Sequence, residues 1–204
     1  MEERERAVSG SGGSGRREVE VKIPVSTGEL DEVRARLEEW GFRVVREATA
    51  EENLLFDFPD DRLTQRGCAL RLRRVGDRAW LTFKGPQVPD PALKIREERE
   101  SGVADAGEVT AILRGIGLEP VFSYGKTREI LEGRAAGARV EVCLDVTPIG
   151  CFVELEGPAP AIRELARSLG WPPERFVTES YVSLYLRAGL GHVRGRGGGK
   201  PSER

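Results

Sequence analysis

Histidine is almost missing from this chain: His192 is the only one in 204 residues. It lies in a glycine-rich C-terminal stretch, whereas ligands and proton carriers are normally held on ordered elements, so no catalytic or metal-binding histidine is expected. Cysteine is scarce as well. Cys68, Cys143 and Cys151 are odd in number, form no C-x-x-C pair and lie in apolar-rich runs. That argues against a zinc site and fits reduced structural thiols in a cytoplasm. Net charge is the third thing lacking. The 32 Lys and Arg nearly cancel the 34 Asp and Glu, which leaves no global attraction for nucleic acid or an acidic membrane. No run approaches ~18 apolar residues, and no apolar segment follows the charged N-terminus, so neither a membrane span nor a signal peptide is expected.

What the chain does have is charge in regular places. Glycine and serine dominate residues 9–15 and glycine recurs from Gly191 onward, so residues 1–16 and 189–204 read as flexible tails around one domain at 17–188. The domain opens with Glu18-Val19-Glu20-Val21-Lys22, where charged and β-branched residues alternate. Side chains repeat every second residue along a strand, so all three charges share one face. Ser26-Thr27-Gly28-Glu29 reads as a capping box, followed by Leu30, Val33, Leu37 and Trp40 at helical spacing and a Gly41 stop. Residues 42–58 are strand-like, as one long bent strand or two short ones. Alternation returns in Cys68–Arg73, in Trp80–Lys84 after a hairpin turn, and in Lys94–Glu100. A second helix runs from Asp105 to Gly117 with Val109, Ile112, Leu113 and Ile116 as its apolar face. Strands at 125–130, 139–145 and 151–156 and helices at 159–169 and 178–187 complete about eight strands and four helices. Trp40, Trp80 and Trp171 read as packing residues, with Trp80 sharing the parity of Lys84.

Collected by parity, one face holds Glu18, Glu20, Glu98, Glu100, Glu141, Asp145, Glu154 and Glu156 against Lys22, Arg71, Arg73, Lys84, Arg96, Lys126, Arg128 and Arg139. In an open sheet this would be a solvated, salt-bridged surface worth about 0–1 kcal/mol per pair. Eight antiparallel strands can instead close into a barrel, with the charges lining its interior and the helices on the outer apolar face. Two features favour closure. Signs are grouped by strand, positive at Arg71, Arg73, Lys84, Lys126 and Arg128 and negative at Glu154 and Glu156, whereas a surface chosen for solubility mixes them. Arginine also outnumbers lysine, and its planar fork suits several phosphate oxygens at once.

The runs Glu18-x-Glu20-x-Lys22, Ala69–Arg73, Leu81–Pro86, Arg96-x-Glu98-x-Glu100, Lys126-x-Arg128, Leu144-Asp145 and Phe152–Glu156 resemble those of the CYTH proteins, the triphosphate tunnel metalloenzymes. The likeness spans about residues 17–188, and seven motifs in the family's order make it specific. The Thr82–Pro86 and Arg96–Glu100 runs look most like the class IV adenylyl cyclase branch, although bacterial tripolyphosphatases share much of this. Leu55-Phe56-Asp57 departs from the family, many of whose members carry tyrosine before Phe-Asp.

The resemblance implies an α+β fold: an eight-stranded antiparallel barrel, helices outside, binding a triphosphate with Mg²⁺ or Mn²⁺. Lys22, Arg71, Arg73, Lys84, Arg96, Lys126 and Arg128 are the candidate triphosphate ligands. Glu18, Glu20, Asp145, Glu154 and Glu156 are the candidate metal ligands, with Glu98, Glu100 and Glu141 in or near a second shell or second metal. Three functions fit: a cyclase making cyclic AMP and pyrophosphate from ATP, a hydrolase of tripolyphosphate, nucleoside triphosphate or thiamine triphosphate, or a module that binds such ligands without turnover. The expected partner is the triphosphate, with neither nucleic acid nor membrane. A homodimer through the C-terminal helix is compatible, and no residue is singled out as general base.

Overall fold

A computed structural model describes residues 16–190 and 192–193. Its strands are β1 (Arg16–Val25), β2 (Arg43–Asp57), β3 (Ala69–Val75), β4 (Arg78–Val88), β5 (Lys94–Val103), β6 (Glu119–Ala135), β7 (Ala138–Thr147), β8 (Gly150–Glu156) and the two-residue β9 (His192–Val193). The helices are α1 (Thr27–Glu39), α2 (Arg62–Gln65), α3 (Ala106–Gly115), α4 (Ala159–Ser168) and α5 (Tyr181–Arg187). Every strand pairing is antiparallel, in the order β2-β3-β4-β5-β1-β8-β7-β6, and β6 returns to β2. The sheet is therefore a closed eight-stranded barrel without free edges. Residues 1–15 of the predicted N-terminal tail lie outside the described residues. In the C-terminal segment His192 and Val193 pair with Ser123 and Phe122, and 194–204 again lie outside.

Alternation sorts the strands' side chains as expected. Val21 and Ile23 of β1, Val140, Val142 and Leu144 of β7, and Val153 and Leu155 of β8 are buried on the outer face. There they meet Leu30, Val33 and Leu37 of α1 and Ile162 and Leu165 of α4. The Ser26–Glu29 capping box starts α1, each partner's side chain accepting from the other's backbone N–H. The 42–58 region is one strand bent by three register shifts against β6.

Three expectations need correction. Ile112 and Ile116 of α3 are 61% and 64% exposed, because α3 lies on the Phe56–Leu72 cluster through a narrow stripe centred on Leu113. Trp40 caps α1 and is likewise exposed, stacked under the Arg36 guanidinium. The last predicted helix is not wholly external, since α5 turns Tyr181 towards the barrel interior, as described below.

Gly133 of β6 lies beneath the buried Phe42 ring, and a methyl group built there would overlap the ring atoms. Gly133→Ala is expected to destabilise the fold by about 1–3 kcal/mol through overpacking, read as a lower urea midpoint at constant m-value.

Candidate functional site

The barrel encloses a cavity of about 1220 Å³. Of the residues picked out by parity and motif as site candidates, all but Asp145 line it: Glu18, Glu20, Lys22, Arg71, Arg73, Lys84, Arg96, Glu98, Glu100, Lys126, Arg128, Glu141, Glu154 and Glu156. Arg139, assigned to the same face, sits at the β6–β7 turn, 69% exposed and paired with Glu132.

Register explains the convergence. Glu20 faces Glu156 and Lys22 faces Glu154 across β1–β8, while Glu156 faces Glu141 across β8–β7. Arg71 faces Thr82 and Lys84 faces Glu98 on the opposite wall. Nearly every cation already holds a carboxylate. Lys22 Nζ lies 2.9 Å from both Glu20 and Glu154, Lys94 Nζ 2.5 Å from Glu20, and Lys84 Nζ 2.9 Å from Glu18 and 2.5 Å from Glu98. Arg73 donates to both oxygens of Glu100 at 3.0 Å, and Arg71 approaches Thr82 Oγ1 at 3.4 Å.

Two candidates occupy particular positions. Asp145 sits behind the cavity wall, fully buried, and accepts from Arg128 Nε and Nη2 at 2.6 Å, from Lys126 at 3.0 Å and from the Tyr181 hydroxyl. It holds the two cations from beside them, on the neighbouring strand. Arg96 donates to the carbonyl oxygens of Gly85 at 2.9 Å and Gly67 at 3.3 Å, tying β5 to two loops while it borders the cavity.

Sequence reasoning missed several wall residues. Lys94 shares the parity of Arg96 and was legible on that ground. Arg46 and the fully buried Glu51, which form an ion pair, lie among the register shifts of β2, where period 2 fails as a guide. Tyr181, on a helix, lies under the ammonium groups of Lys126 (4.5 Å to the ring centre) and Lys22 (5.2 Å). Leu55, at the position of the family's departure, lines the cavity. Trp80 packs against Arg73 at 5.4 Å.

The enclosed charges shift one another's proton affinity. Burial opposes ionisation of Glu20, but the Lys22, Lys94 and Lys84 ammonium groups outweigh it and hold the carboxyl well below its ordinary range. Burial, then the charge on Glu20, pushes Glu18 up to about 8. Burial likewise brings Lys94 down to about 8, against the pull of Glu20. Glu156 makes no hydrogen bond or ion pair among the described residues. Burial and the charges of Glu141, Glu154 and Glu20 raise it to about 7. In this acidic corner Lys22, Lys94 and Arg128 neutralise Glu20 and Glu154 but leave Glu156 without an ion-pair partner among the described residues, and the all-oxygen donor set has the chemistry of a Mg²⁺ or Mn²⁺ site. As positioned, no three carboxylate, histidine or cysteine groups among the described residues already converge on one ion, because Lys22 and Lys94 occupy Glu20.

The CYTH domain family model matches residues 16–170. A Methanocaldococcus jannaschii protein named "Putative adenylate cyclase" is 27% identical over 176 residues, covering 81% of this chain and 98% of that one. A solved structure from Vibrio parahaemolyticus, described as a "putative adenylate cyclase", superposes with a TM-score of 0.69 at 21% identity over 84% of this chain and 98% of that one. A Hippeastrum protein, a "putative adenylyl cyclase" described as having a dominant triphosphatase activity, superposes with a TM-score of 0.65 at 18% identity, covering 85% of this chain and 96% of that one. At these identities the two structures establish the fold.

Proposed function

Because the chain belongs to the CYTH family, whose members bind triphosphates and use divalent metal, we propose that it is a metal-dependent enzyme acting on a triphosphate in the barrel cavity, as a cyclase forming cyclic AMP and pyrophosphate from ATP. The observation that carries this reading is the convergence of Arg71, Arg73, Lys84, Lys126 and Arg128 on one cavity that Glu18, Glu20, Glu154 and Glu156 also line. A triphosphate brings about four negative charges, and phosphoryl chemistry is chiefly positioning plus charge stabilisation. The five cations hold the phosphate chain, and Lys22 and Arg96 flank them. Asp145 keeps Arg128 and Lys126 aimed inward. Glu18, Glu20, Glu154 and Glu156 are the residues that would hold the metal. When bound, the metal neutralises phosphate charge and acidifies the attacking oxygen. In the cyclase reaction the ribose 3′ oxygen attacks the α phosphorus, a new P–O bond forms, the α–β anhydride breaks and pyrophosphate leaves.

A second reading, hydrolysis with water as nucleophile, is favoured by the activity described for the Hippeastrum protein. Incubation with Mg²⁺ or Mn²⁺ and either ATP or tripolyphosphate separates the readings. Cyclic AMP with matching pyrophosphate is the expected result. Orthophosphate alone would replace the cyclase with a triphosphatase, and thermal stabilisation without product would leave a binding module.

Arg73→Ala tests the cationic wall. Its guanidinium pairs with Glu100, lies 3.9 Å from the buried Glu51 and packs on the Trp80 ring, and Glu51 keeps Arg46 when the guanidinium is lost. A charged hydrogen bond contributes about 1.5–3 kcal/mol, so KM for the triphosphate should rise roughly 10- to 100-fold. A lower melting temperature with unchanged kinetics would remove Arg73 from the site.

A further inference from the structure

Glu51 of β2 stands among the cations of the cavity wall without bordering the cavity itself. It is 1% exposed and pairs with Arg46, while Arg73 Nη1 lies 3.9 Å and Lys126 Nζ 3.8 Å from its carboxylate oxygens. Arg46, Arg73 and Lys126 all line the cavity. Register sets Lys126 of β6 directly across from Glu51. Arg46 precedes Glu51 by five residues on the same strand, which in regular β structure would put it about 16 Å away and on the opposite face. The register shift between Arg46 and Thr49 brings it round to the carboxylate.

The geometry separates the role of Glu51 from that of Asp145. Asp145 accepts hydrogen bonds from Arg128 at 2.6 Å and from Lys126 at 3.0 Å, and so fixes where they point. Glu51 lies beyond hydrogen-bond range of Arg73 and Lys126, and its Oε2 and the Nε atoms of Arg46 and Arg73 make no hydrogen bond. To Arg73 and Lys126 it supplies charge without a directional bond, which leaves their N–H groups free to turn to a ligand. Burial opposes its ionisation, but Arg128, Lys126, Arg73 and Arg46 outweigh burial and hold the carboxyl below its ordinary range, so it remains an anion. A fixed anion this close to three cavity cations subtracts from the field that a bound polyphosphate feels, and with little water between them the subtraction is poorly screened.

We propose that Glu51 is a positioning residue that tempers the cationic wall: it holds Arg46 at the cavity and offsets part of the charge of Arg46, Arg73 and Lys126, so that a polyphosphate chain is bound weakly enough to leave again. This rests on the reading of the cavity as a triphosphate site and adds a device by which the site limits its own affinity.

The test is Glu51→Gln, which keeps side-chain volume and removes the charge, with inorganic tripolyphosphate as the probe and neither metal nor nucleotide present. In calorimetric titration the variant should bind tripolyphosphate roughly 10-fold more tightly than native protein, the order of one charge acting on a nearby phosphate at an effective dielectric of about 20. Without ligand the variant should melt lower, because buried cations lose a counter-charge, and tripolyphosphate should raise its Tm by more than it raises the native Tm. A carboxylate that only props up the wall predicts the opposite sign, since cations that lose their support hold phosphate less well. Affinity equal to or below native would therefore overturn the proposal and leave the triphosphate reading standing. Failure of both proteins to bind tripolyphosphate would overturn both, whereas binding by the variant alone would support the proposal. A variant that folds only when tripolyphosphate is added also supports it, the anion replacing the carboxylate, and one that folds under neither condition would overturn it.

Discussion

Asp145→Ala should be the most damaging single substitution in the barrel wall, lowering stability by about 3–5 kcal/mol. The carboxylate is fully buried and receives two bonds from Arg128, one from Lys126 and one from Tyr181. Without it, among the described residues, Arg128 keeps an ion pair with Glu154 and Lys126 one with Glu51 at 3.8 Å. Two buried cations short of a counter-charge cost far more than a lost surface pair. In a domain of this size that loss corresponds to roughly 10 °C in Tm, measurable by calorimetry. Burial opposes the charge on Asp145, but Arg128 and Lys126 prevail and hold its carboxyl below the ordinary aspartate range. The stabilisation is therefore fully present above the unfolded-state value of about 4 and is lost as pH falls towards the depressed folded value. In acid the native protein should approach the variant. A loss under about 1 kcal/mol at neutral pH would show that the cations find other partners.

Glu156→Gln should do the reverse: strengthen the metal-free fold and remove the activity. Glu156 makes no ion pair or hydrogen bond among the described residues, and burial with three carboxylate neighbours raises it to about 7. A carboxyl whose folded value lies above its unfolded value of about 4.3 binds its proton more tightly when folded, so stability falls as pH rises between the two. The glutamine variant should therefore melt higher than native at pH 8, with the gap closing below about pH 5. On the proposed reading a metal ligand is lost in the same step. Turnover should drop by about 100-fold or more, and metal with triphosphate should no longer raise Tm as it does for native protein. Retained turnover would place the metal elsewhere.

Much of this site was legible because strands obey a strict period. Once Glu18, Glu20 and Lys22 are put on one face, the same parity in β3–β8 finds the remaining wall, and grouping of sign by strand indicates closure. The period fails where the backbone does. The shifts around Arg46 and Thr49 broke the alternation that would have exposed Arg46 and Glu51. Asp145 shows a further limit: parity gives a face but not depth, and only the contacts place it behind Arg128. In α3, helical spacing grouped Ile112 and Ile116 with Leu113, yet spacing does not reveal how wide a stripe the neighbouring sheet will cover.

The β1–β8 pairing bears on how the protein is made. Glu20 finds its neighbour at Glu156, and Tyr181 reaches Asp145 from still further along the chain. A ribosome delivers β1 long before β8, so for most of synthesis the edge of β1 and its charges remain in water. Contacts this distant in sequence slow folding, since chain entropy is lost before they form. The nascent protein thus has no closed cavity until β8 has been made. Closure of the barrel and arrival of Tyr181 both wait for residues beyond 150, and a chain interrupted before then holds Arg71, Arg73, Lys84, Lys126 and Arg128 without the strand that closes the barrel around them.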